Sequence, residues 1–199
     1  KTKGNILLAI TDWDPEIWLK TFRDHAPDRP VVTDRTEKDP SVKYALVWKQ
    51  KPGSLENLPN LKVIFSLGAG VDHVFRDDRI PDVPLVRIIS DDLTMRMTEY
   101  VVWQVLDHHR LGQRYRKQQQ NHVWHEDRRK PAAHEVTVGI MGLGVLGRDA
   151  AEKLKLLGFN VTGWSRRPQE IDGVQTYHGK DGFGKFLKTA DIFVCLLPL

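Results

Sequence analysis

A chain of 199 residues with 40% hydrophobic content can bury one large core or two small ones, which excludes a disordered protein. Its 30 lysines and arginines against 26 acidic residues give a net charge of +4, compatible with an anionic ligand but short of a nucleic-acid-binding surface. The apolar runs are far shorter than the roughly 20 residues of a membrane span. With no signal-peptide pattern either, a cytoplasmic protein is expected.

Short apolar runs alternate with helical patterns over about the first ninety residues, which is typical of a parallel sheet with crossover helices. Asp14 is a predicted helix N-cap with Pro15 at the first helical position. The apolar stripe of this helix is predicted to be Ile17, Trp18 and Phe22. Strands are predicted at 5–10, 44–48, 62–67 and 83–88, the last of them leaving this unit.

A glycine loop, LGAGVD at 67–72, follows the strand that ends near Ser66. It offers backbone amides at a predicted strand-to-helix turn but lacks the third glycine of a dinucleotide loop, so a carboxylate fits it better than a pyrophosphate. A simple tight turn is the alternative. His73 is a candidate catalytic acid, because a histidine side chain can donate a proton near neutral pH. The carboxylate partner that the sequence offers for it is the adjacent Asp72, which is better placed to cap the start of a helix. We therefore expect His73 to be an ordinary first-turn residue.

From about Thr94 the pattern changes to a long helix, which leads into the polar run RLGQRYRKQQQNHVWHEDRRKP ending at Pro131. Acidic residues interrupt this run and few aromatic residues interleave with its cations, so nucleic-acid binding is disfavoured. A solvated connecting or dimer-arm helix is the preferred interpretation. The predicted apolar face of the long helix is Met97, Val101, Val105 and Leu111.

A second α/β unit begins at Glu135, with predicted strands at 136–141, 160–164, 174–177 and 192–197. Leu146, Ala150, Leu154 and Leu157 repeat at helical spacing until Gly158 supplies the C-terminal cap. A second helix is predicted around Phe183, Phe186 and Leu187. The single cysteine, Cys195, falls in the fourth strand, where we expect it to be buried and unreactive. No cysteine or histidine spacing predicts a metal site.

The run GLGVLG at 142–147 has the G-x-G-x-x-G spacing of a dinucleotide-binding loop and lies between a predicted strand and helix. Gly142 is expected to allow a tight turn, Gly144 the approach of a pyrophosphate, and Gly147 close packing of the helix on the sheet. The amides of Val145 and Leu146 are expected to face the anion. The alternative is a glycine-rich turn without a ligand.

The end of the following strand has no acidic residue, although NAD-binding domains usually place one there to accept hydrogen bonds from the ribose. Trp164, Ser165, Arg166 and Arg167 occupy these positions. Guanidinium groups form charge-assisted hydrogen bonds with phosphate and a serine hydroxyl adds another, so NADP(H) is favoured. The alternative is that both arginines are solvated surface residues before a proline turn.

Five motifs, SLGAGVD, MTEYVVWQVL, VGIMGLGVLG, WSRRP and ADIFVCLLPL, resemble the D-isomer-specific 2-hydroxyacid dehydrogenases in order and spacing, over essentially the whole chain. YALVW, GAGVD and the WSR strand end are most similar to the bacterial glyoxylate/hydroxypyruvate reductase A branch. The resemblance implies a flavodoxin-like substrate domain over 1–93. Over 94–199 it implies a hinge and dimer-arm helix followed by the N-terminal part of a Rossmann dinucleotide-binding domain, which is incomplete in this chain. It also implies a homodimer.

The resemblance further implies an oxidoreductase that uses NADPH in preference to NADH to reduce a small 2-oxo acid, glyoxylate or hydroxypyruvate. It places the substrate carboxylate against the amides of Ala69 and Gly70, with Trp48 nearby. Glu99 matches a helix glutamate of the family, with a structural or hinge-related role rather than a catalytic one. The residues implied to bind the cofactor are Gly142, Gly144, Val145, Leu146, Gly147, Trp164, Ser165, Arg166, Arg167, Leu197 and Pro198.

The catalytic Arg, His and Glu of the family have no counterpart in this sequence and are expected beyond Leu199. We therefore expect an N-terminal portion of a longer enzyme, and residues 1–199 alone to be inactive. The competing interpretation is a non-enzymatic, dinucleotide-binding regulatory module, because the family's transcriptional corepressors have this fold. An Arg-Gly pair and a later Glu and His after Leu199 would favour the enzyme.

Overall fold

The computed structural model describes residues 4–33, 37–128 and 130–198. The chain forms two compact α/β units, one up to Ile89 and the other over Ser90–Leu197. In the first unit, five parallel strands follow the order β2-β1-β3-β4-β5, which is the flavodoxin-like order. Its elements are β1 Asn5–Ile10, α1 Pro15–His25, β2 Val31–Thr33, β3 Val42–Trp48, β4 Val63–Ser66 and β5 Leu85–Arg87.

The core of the first unit comes from its central strands and from loop residues that pack on them. Leu7, Ala45 and Val47 are almost fully buried, as expected for inner strands of a parallel sheet. Asp14 caps α1 as predicted, with its carboxylate accepting from the amide of Glu16. The predicted apolar stripe of α1 is wrong in part, because no residue of that helix is fully buried and Ile17 is 68% exposed.

Two features of this sheet differ from the sequence prediction. The three-residue strand β2 was missed, because Val31–Thr33 is too short to show a period. The strand near 83–88 was expected to leave the unit, but β5 pairs with β4 through Ile64 and Leu85. The loop after β4 leads into turns over residues 72–76 rather than into a helix, so the predicted strand-to-helix turn at 67–72 is also wrong.

The second unit contains a four-stranded parallel sheet in the order β8-β7-β6-β9. Numbered from its own first strand this order is 3-2-1-4, which is the beginning of the Rossmann order. Its elements are α2 Asp91–His109, α3 Gly112–Gln120, a 3₁₀ turn Ala133–Glu135, β6 Thr137–Met141, α4 Val145–Leu156, β7 Asn160–Ser165, β8 Gln175–His178, α5 Gly179–Phe186 and β9 Ile192–Cys195.

Helix α2 packs on the core of this unit through Val101 and Val105, as the apolar spacing predicts. It begins at Asp91, with Ser90 accepting from the amide of Leu93, and therefore starts earlier than predicted. Leu111, predicted on the apolar face, adopts a left-handed conformation with φ 57° between α2 and α3. The polar run beyond it is helical over α3.

The prediction that Cys195 is buried is wrong. Cys195 is exposed on β9, which pairs with β6 on one side and is an edge strand in the part of the chain that the structure describes. Alternation along β9 leaves Phe193 and Cys195 exposed, whereas Ile192 and Val194 are half-buried. An apolar run predicts a strand but does not show whether the strand is central.

A polar contact inside the second unit joins α2 to α4. The hydroxyl of Thr98, which is 6% exposed, donates to the Asp149 carboxylate at 2.6 Å, and Lys153 donates to the other oxygen at 3.2 Å. The Thr98 hydrogen bond is the largest cause of the lowered pKa of Asp149. Because the folded-state pKa is depressed, this stabilisation is present above the ordinary Asp pKa and is lost as the pH falls through the folded value.

We expect Thr98→Val to lower the free energy of unfolding by about 1–2 kcal/mol near neutral pH, because the substitution removes a donor from a partly buried carboxylate. Urea denaturation measures the change. Thr94→Val is the matched control, since the Thr94 hydroxyl donates to the carbonyl of Ser90, the N-cap of its own helix. Its effect should stay within about 0.5 kcal/mol. The Thr98 effect should shrink at acid pH. A pH-independent difference would contradict the role given to Asp149.

Candidate functional site

The glycine loop of the second unit lies between β6 and α4. Gly142 has φ 101°, and its amide donates to the Trp164 carbonyl at 2.8 Å at the end of β7. A β-carbon there would lie 2.8 Å from the Leu196 carbonyl oxygen, too close for any side chain. Gly142 therefore turns the chain tightly at the carboxyl edge of the sheet, beside the segment that follows β9.

Gly144 and Gly147 have different surroundings. A β-carbon on Gly147 would overlap the Gly142 carbonyl oxygen and touch Ile140, so glycine is required for α4 to approach β6 closely. A β-carbon on Gly144 would meet nothing within 4 Å. The backbone at Gly144 therefore faces open space, which leaves room for a ligand to approach.

The first turn of α4 begins at this open space. The N-terminal amides of an α-helix have no intrahelical acceptor, and the helix dipole favours an anion there. No acidic residue lies in the first turn of α4, so no carboxylate of that turn competes for these amides. Val145 and Leu146 supply two of the amides that could hold a phosphate.

The end of β7 carries the predicted cofactor-selecting residues. The indole N–H of Trp164 donates to the Gly179 carbonyl at 2.9 Å, and its ring lies edge-on to Phe183, so this side chain is engaged with α5. The Ser165 hydroxyl donates to the Arg167 carbonyl at 2.6 Å and bends the chain immediately after the strand. For Ser165 to donate to a phosphate, its hydroxyl must rotate away from that carbonyl.

Arg166 and Arg167 extend from this bend and are exposed. Among the described residues, no carboxylate lies within ion-pair distance of either guanidinium. The segment beyond them is fixed by Arg148 of α4, which donates to the Glu170 carbonyl at 2.8 Å and to the Gln169 side chain at 3.0 Å. The sequence interpretation missed Arg148, because its partners lie more than twenty residues further along the chain.

The segment after β9 completes this edge of the sheet. The Leu196 amide donates to the Met141 carbonyl at 2.8 Å, and a side-chain methyl of Leu197 lies close to Gly142. Leu197 is therefore beside the glycine loop, where the sequence predicted a border of the cofactor site. Pro198 follows it as the last described residue, without a contact that assigns it a role.

The glycine loop of the first unit follows β4. Gly68 is buried, and a β-carbon on it would overlap the Trp48 ring, so the loop approaches that indole closely. Ala69 is half-buried and Gly70 is exposed. In the part of the chain that the structure describes, neither the Ala69 nor the Gly70 amide donates to a protein acceptor. Both amides are therefore available to an anion.

Trp48 lies within a group of aromatic rings. Its ring stacks on Trp13 with centroids 4.7 Å apart, and the Lys49 ammonium lies 5.8 Å from its centroid. Its indole nitrogen is buried and has no hydrogen-bond partner among the described residues. Trp13, which precedes α1, was missed by the sequence interpretation, because no local pattern relates it to a residue thirty-five positions later.

His73 is bonded through both ring nitrogens. Nδ1 accepts from the Lys49 amide at 3.2 Å, and Nε2 lies 2.9 Å from the Ser66 hydroxyl. Burial, the largest cause, lowers the pKa of His73; Asp72 raises it, and Arg76 and Lys49 lower it. In this arrangement both ring nitrogens of His73 are engaged within the protein.

Within 4–33, 37–128 and 130–198, no cluster of three or more histidine, cysteine, aspartate or glutamate side chains could hold a metal ion. In those ranges, no helix combines the length and the apolar composition needed to cross a membrane.

Comparison with known proteins identifies the family. The NAD binding domain of the D-isomer specific 2-hydroxyacid dehydrogenases matches residues 102–199. The glyoxylate/hydroxypyruvate reductases A of Yersinia enterocolitica and Serratia proteamaculans are 35% and 36% identical over 98% of this chain. The chain belongs to the D-isomer specific 2-hydroxyacid dehydrogenase family. It spans 64% of the length of these curated relatives.

Solved structures of this dehydrogenase family agree with the assignment. An NADPH-dependent glyoxylate/hydroxypyruvate reductase from Sinorhizobium meliloti, in complex with NADP and sulfate, is 42% identical with a TM-score of 0.88, and the match covers 99% of this chain and 63% of that one. A family member from Xanthobacter autotrophicus, in complex with NADPH and MES, is 35% identical with a TM-score of 0.90, covering 98% and 64%. The α/β fold predicted from the sequence is confirmed.

The different surroundings of Gly144 and Gly147 give a paired prediction for this chain. Gly147→Ala should lower the free energy of unfolding by about 1–3 kcal/mol, because the methyl group meets backbone that must shift. Gly144→Ala places its methyl group in open space and should cost less than about 1 kcal/mol at this helix N-cap. Urea denaturation of both variants measures the difference. Equal losses would contradict the close packing assigned to Gly147.

Proposed function

We propose that a protein carrying this chain reduces a small 2-oxo acid, glyoxylate or hydroxypyruvate, to the 2-hydroxy acid with NADPH. The observation that carries the proposal is that two features of a cofactor site lie side by side at the ends of β6 and β7. The open glycine loop at the start of α4 adjoins a strand end with Ser165, Arg166 and Arg167 and without a carboxylate. A cytoplasmic location and a homodimer belong to the same proposal.

The residues of the second unit fit a dinucleotide phosphate. The backbone at Gly144 leaves open space beside the first-turn amides of α4, where the amides of Val145 and Leu146 would hold the pyrophosphate. Arg166 and Arg167 would pair with a 2′-phosphate, joined by the Ser165 hydroxyl after it rotates. Trp164, Leu197 and Pro198 would border the adenosine. NADPH, when bound, would supply the hydride for the reaction.

The anion loop of the first unit, residues 68–70, would bind the substrate carboxylate. The unbonded amides of Ala69 and Gly70 are donors of the kind that hold a carboxylate, and the Trp48 ring beside them would limit the size of the substrate. Orientation of the substrate is the contribution assigned to these residues. The proton donor and its partners are proposed to lie beyond Leu199, so residues 1–199 alone should bind ligands without turnover.

The activity is tested by following NADPH oxidation with glyoxylate and hydroxypyruvate, using the protein extended past Leu199. Reduction of either acid is the expected result. NADPH binding without reduction of any small 2-oxo acid would contradict the proposal and favour the regulatory-module interpretation.

Arg166→Asp tests the choice of cofactor. It should lower the preference for NADPH over NADH, measured as a ratio of kcat/KM, by about 1.5–3 kcal/mol, or roughly ten- to a hundredfold, because a phosphate partner is replaced by a like charge. The control is Arg128→Asp, which changes an exposed arginine of the same unit paired with Glu126. If the wild type prefers NADH, or if Arg166→Asp leaves the ratio unchanged, the assignment of this strand end is wrong.

The homodimer is proposed to form through the segment that follows α3 in the second unit. Trp124 is 98% exposed and Val123 is 51% exposed, and both follow α3. Large exposed apolar side chains close together are typical of an interface. Light scattering should give twice the chain mass, and Trp124→Ala should shift the equilibrium toward monomer. A monomer at micromolar concentration would contradict this part of the proposal.

A further inference from the structure

His73 connects the end of β3 to the end of β4 in the first unit. Its Nδ1 lies 3.2 Å from the Lys49 amide at the end of β3, and its Nε2 lies 2.9 Å from the Ser66 hydroxyl at the end of β4. The Ser66 hydroxyl lies 2.9 Å from the Gly70 carbonyl. These contacts lead from the end of β3 to the anion loop without a gap.

The Lys49 amide determines the direction of every bond in this chain of contacts. A backbone N–H is a donor, so Nδ1 must accept and must be unprotonated. In the neutral ring, Nε2 then carries the proton and donates to Ser66. The Ser66 hydroxyl accepts that bond and a weaker one from the Gly68 amide at 3.3 Å. Its own hydrogen therefore points to the carbonyls, with Gly70 at 2.9 Å and Gly68 at 3.3 Å.

This hydrogen-bond relay, from the Lys49 amide through His73 and Ser66, holds the two peptides on either side of the Ala69–Gly70 peptide. The Ser66 hydroxyl lies 2.9 Å from the Gly70 carbonyl and 3.3 Å from the Gly68 carbonyl, which shares its peptide with the Ala69 amide. The Gly70 carbonyl points at Ser66, which is 2% exposed, so this carbonyl is turned toward the protein interior. The neighbouring amides of Ala69 and Gly70 have no protein acceptor among the described residues. Trp48 supports the arrangement, because its ring lies 4.9 Å from the His73 ring and packs against Gly68.

We propose that His73 is a positioning residue for the substrate: through the Ser66 hydroxyl it holds the Gly68 and Gly70 carbonyls inward, on either side of the Ala69–Gly70 peptide, and thereby keeps the Ala69 and Gly70 amides directed at the substrate carboxylate. This inference rests on the proposed function, because it assigns a role in the binding of the 2-oxo acid. His73 acts through Ser66 and touches no reacting atom.

Protonation of His73 would break the relay at its first bond. An imidazolium donates from both nitrogens, so Nδ1 would face the Lys49 amide as a second donor. The charged groups around the ring are Asp72 and Arg76 on its own turn and Lys49 at the end of β3, with Asp12 paired to Lys49 at 3.2 Å. Burial favours the neutral ring, and the relay is therefore intact at neutral pH.

Substitution of His73 should affect substrate binding rather than turnover. In the complete protein, His73→Phe keeps a ring against Trp48 and removes both nitrogens, and it should raise KM for glyoxylate or hydroxypyruvate about three- to tenfold with kcat nearly unchanged. His73→Gln keeps a donor near the position of Nε2 and should restore most of the affinity. The control His25→Gln changes a histidine whose ring nitrogen bonds to the Thr21 carbonyl of its own helix, and should alter neither constant.

The pH dependence of KM distinguishes a positioning role of His73 from direct electrostatic attraction of the substrate carboxylate by a charged His73 ring. Burial lowers the pKa of His73, so its protonation is expected below the ordinary histidine pKa of 6.5. As the pH falls below that value, KM of the wild type should rise relative to KM of His73→Gln, which keeps every other titrating group of the protein. If the cationic ring instead attracted the substrate carboxylate, KM of the wild type would fall relative to that of His73→Gln. That result, or a His73→Phe variant with the wild-type KM, would overturn the proposal.

Two further measurements distinguish failure of this inference from failure of the proposed function. Nitrogen-15 NMR of the ring, in residues 1–199 without any substrate, should show the Nε2–H tautomer, and the Nδ1–H tautomer would overturn the relay whatever the protein does. In the active protein, Ser66→Ala should raise KM as His73→Phe does. The double variant should be no worse than either single one, because both break one relay; additive effects would overturn the proposal.

Discussion

The contact between Gly147 and the Gly142 carbonyl is the constraint on which the second unit depends. Helix α4 can lie against the end of β6 only because Gly147 has no side chain. This approach brings the first-turn amides of α4 to the carboxyl edge of the sheet, beside the ends of β7 and β9. The same helix orients Arg148 toward the segment that follows Arg166 and Arg167. One missing methyl group thus determines where the pyrophosphate and the 2′-phosphate of a bound dinucleotide could be held.

Local patterns in the sequence were sufficient for most elements of both sheets. Apolar runs located β1, β3, β4 and the strands of the second unit, and the three glycines of the loop have the surroundings expected from their spacing. Pairing was less predictable, as β5 and Cys195 show. Whether a strand is central or at an edge depends on neighbours far along the chain. The hydrophobicity of a residue indicates that it can be buried, but it does not show which residues of the fold would cover it.

The candidate site was predictable where its chemistry is local and not where it depends on distant contacts. The residues at 164–167 form one short segment, so their charges could be interpreted from spacing alone. Trp13 approaches Trp48, and His73 approaches Lys49, only after parallel strands bring their carboxyl ends to one edge. The sequence beside His73 indicates Asp72 as its carboxylate partner, whereas the ring nitrogens bond to Lys49 and Ser66.

The bend after β7 has a consequence for the entropy of binding. The Arg148 bonds to Glu170 and Gln169 order the backbone after the bend during folding, before any ligand arrives. They do not depend on the Ser165 hydroxyl, which must rotate away from Arg167 to reach a phosphate. The exposed guanidinium groups keep their rotamer freedom, which amounts to about 2 kcal/mol for each arginine side chain. A 2′-phosphate would therefore have to immobilise side chains but not the loop. The preference for NADPH over NADH would thus be set by two free energies: the electrostatic attraction between the guanidinium groups and the 2′-phosphate, less the entropy lost when the arginine side chains become ordered.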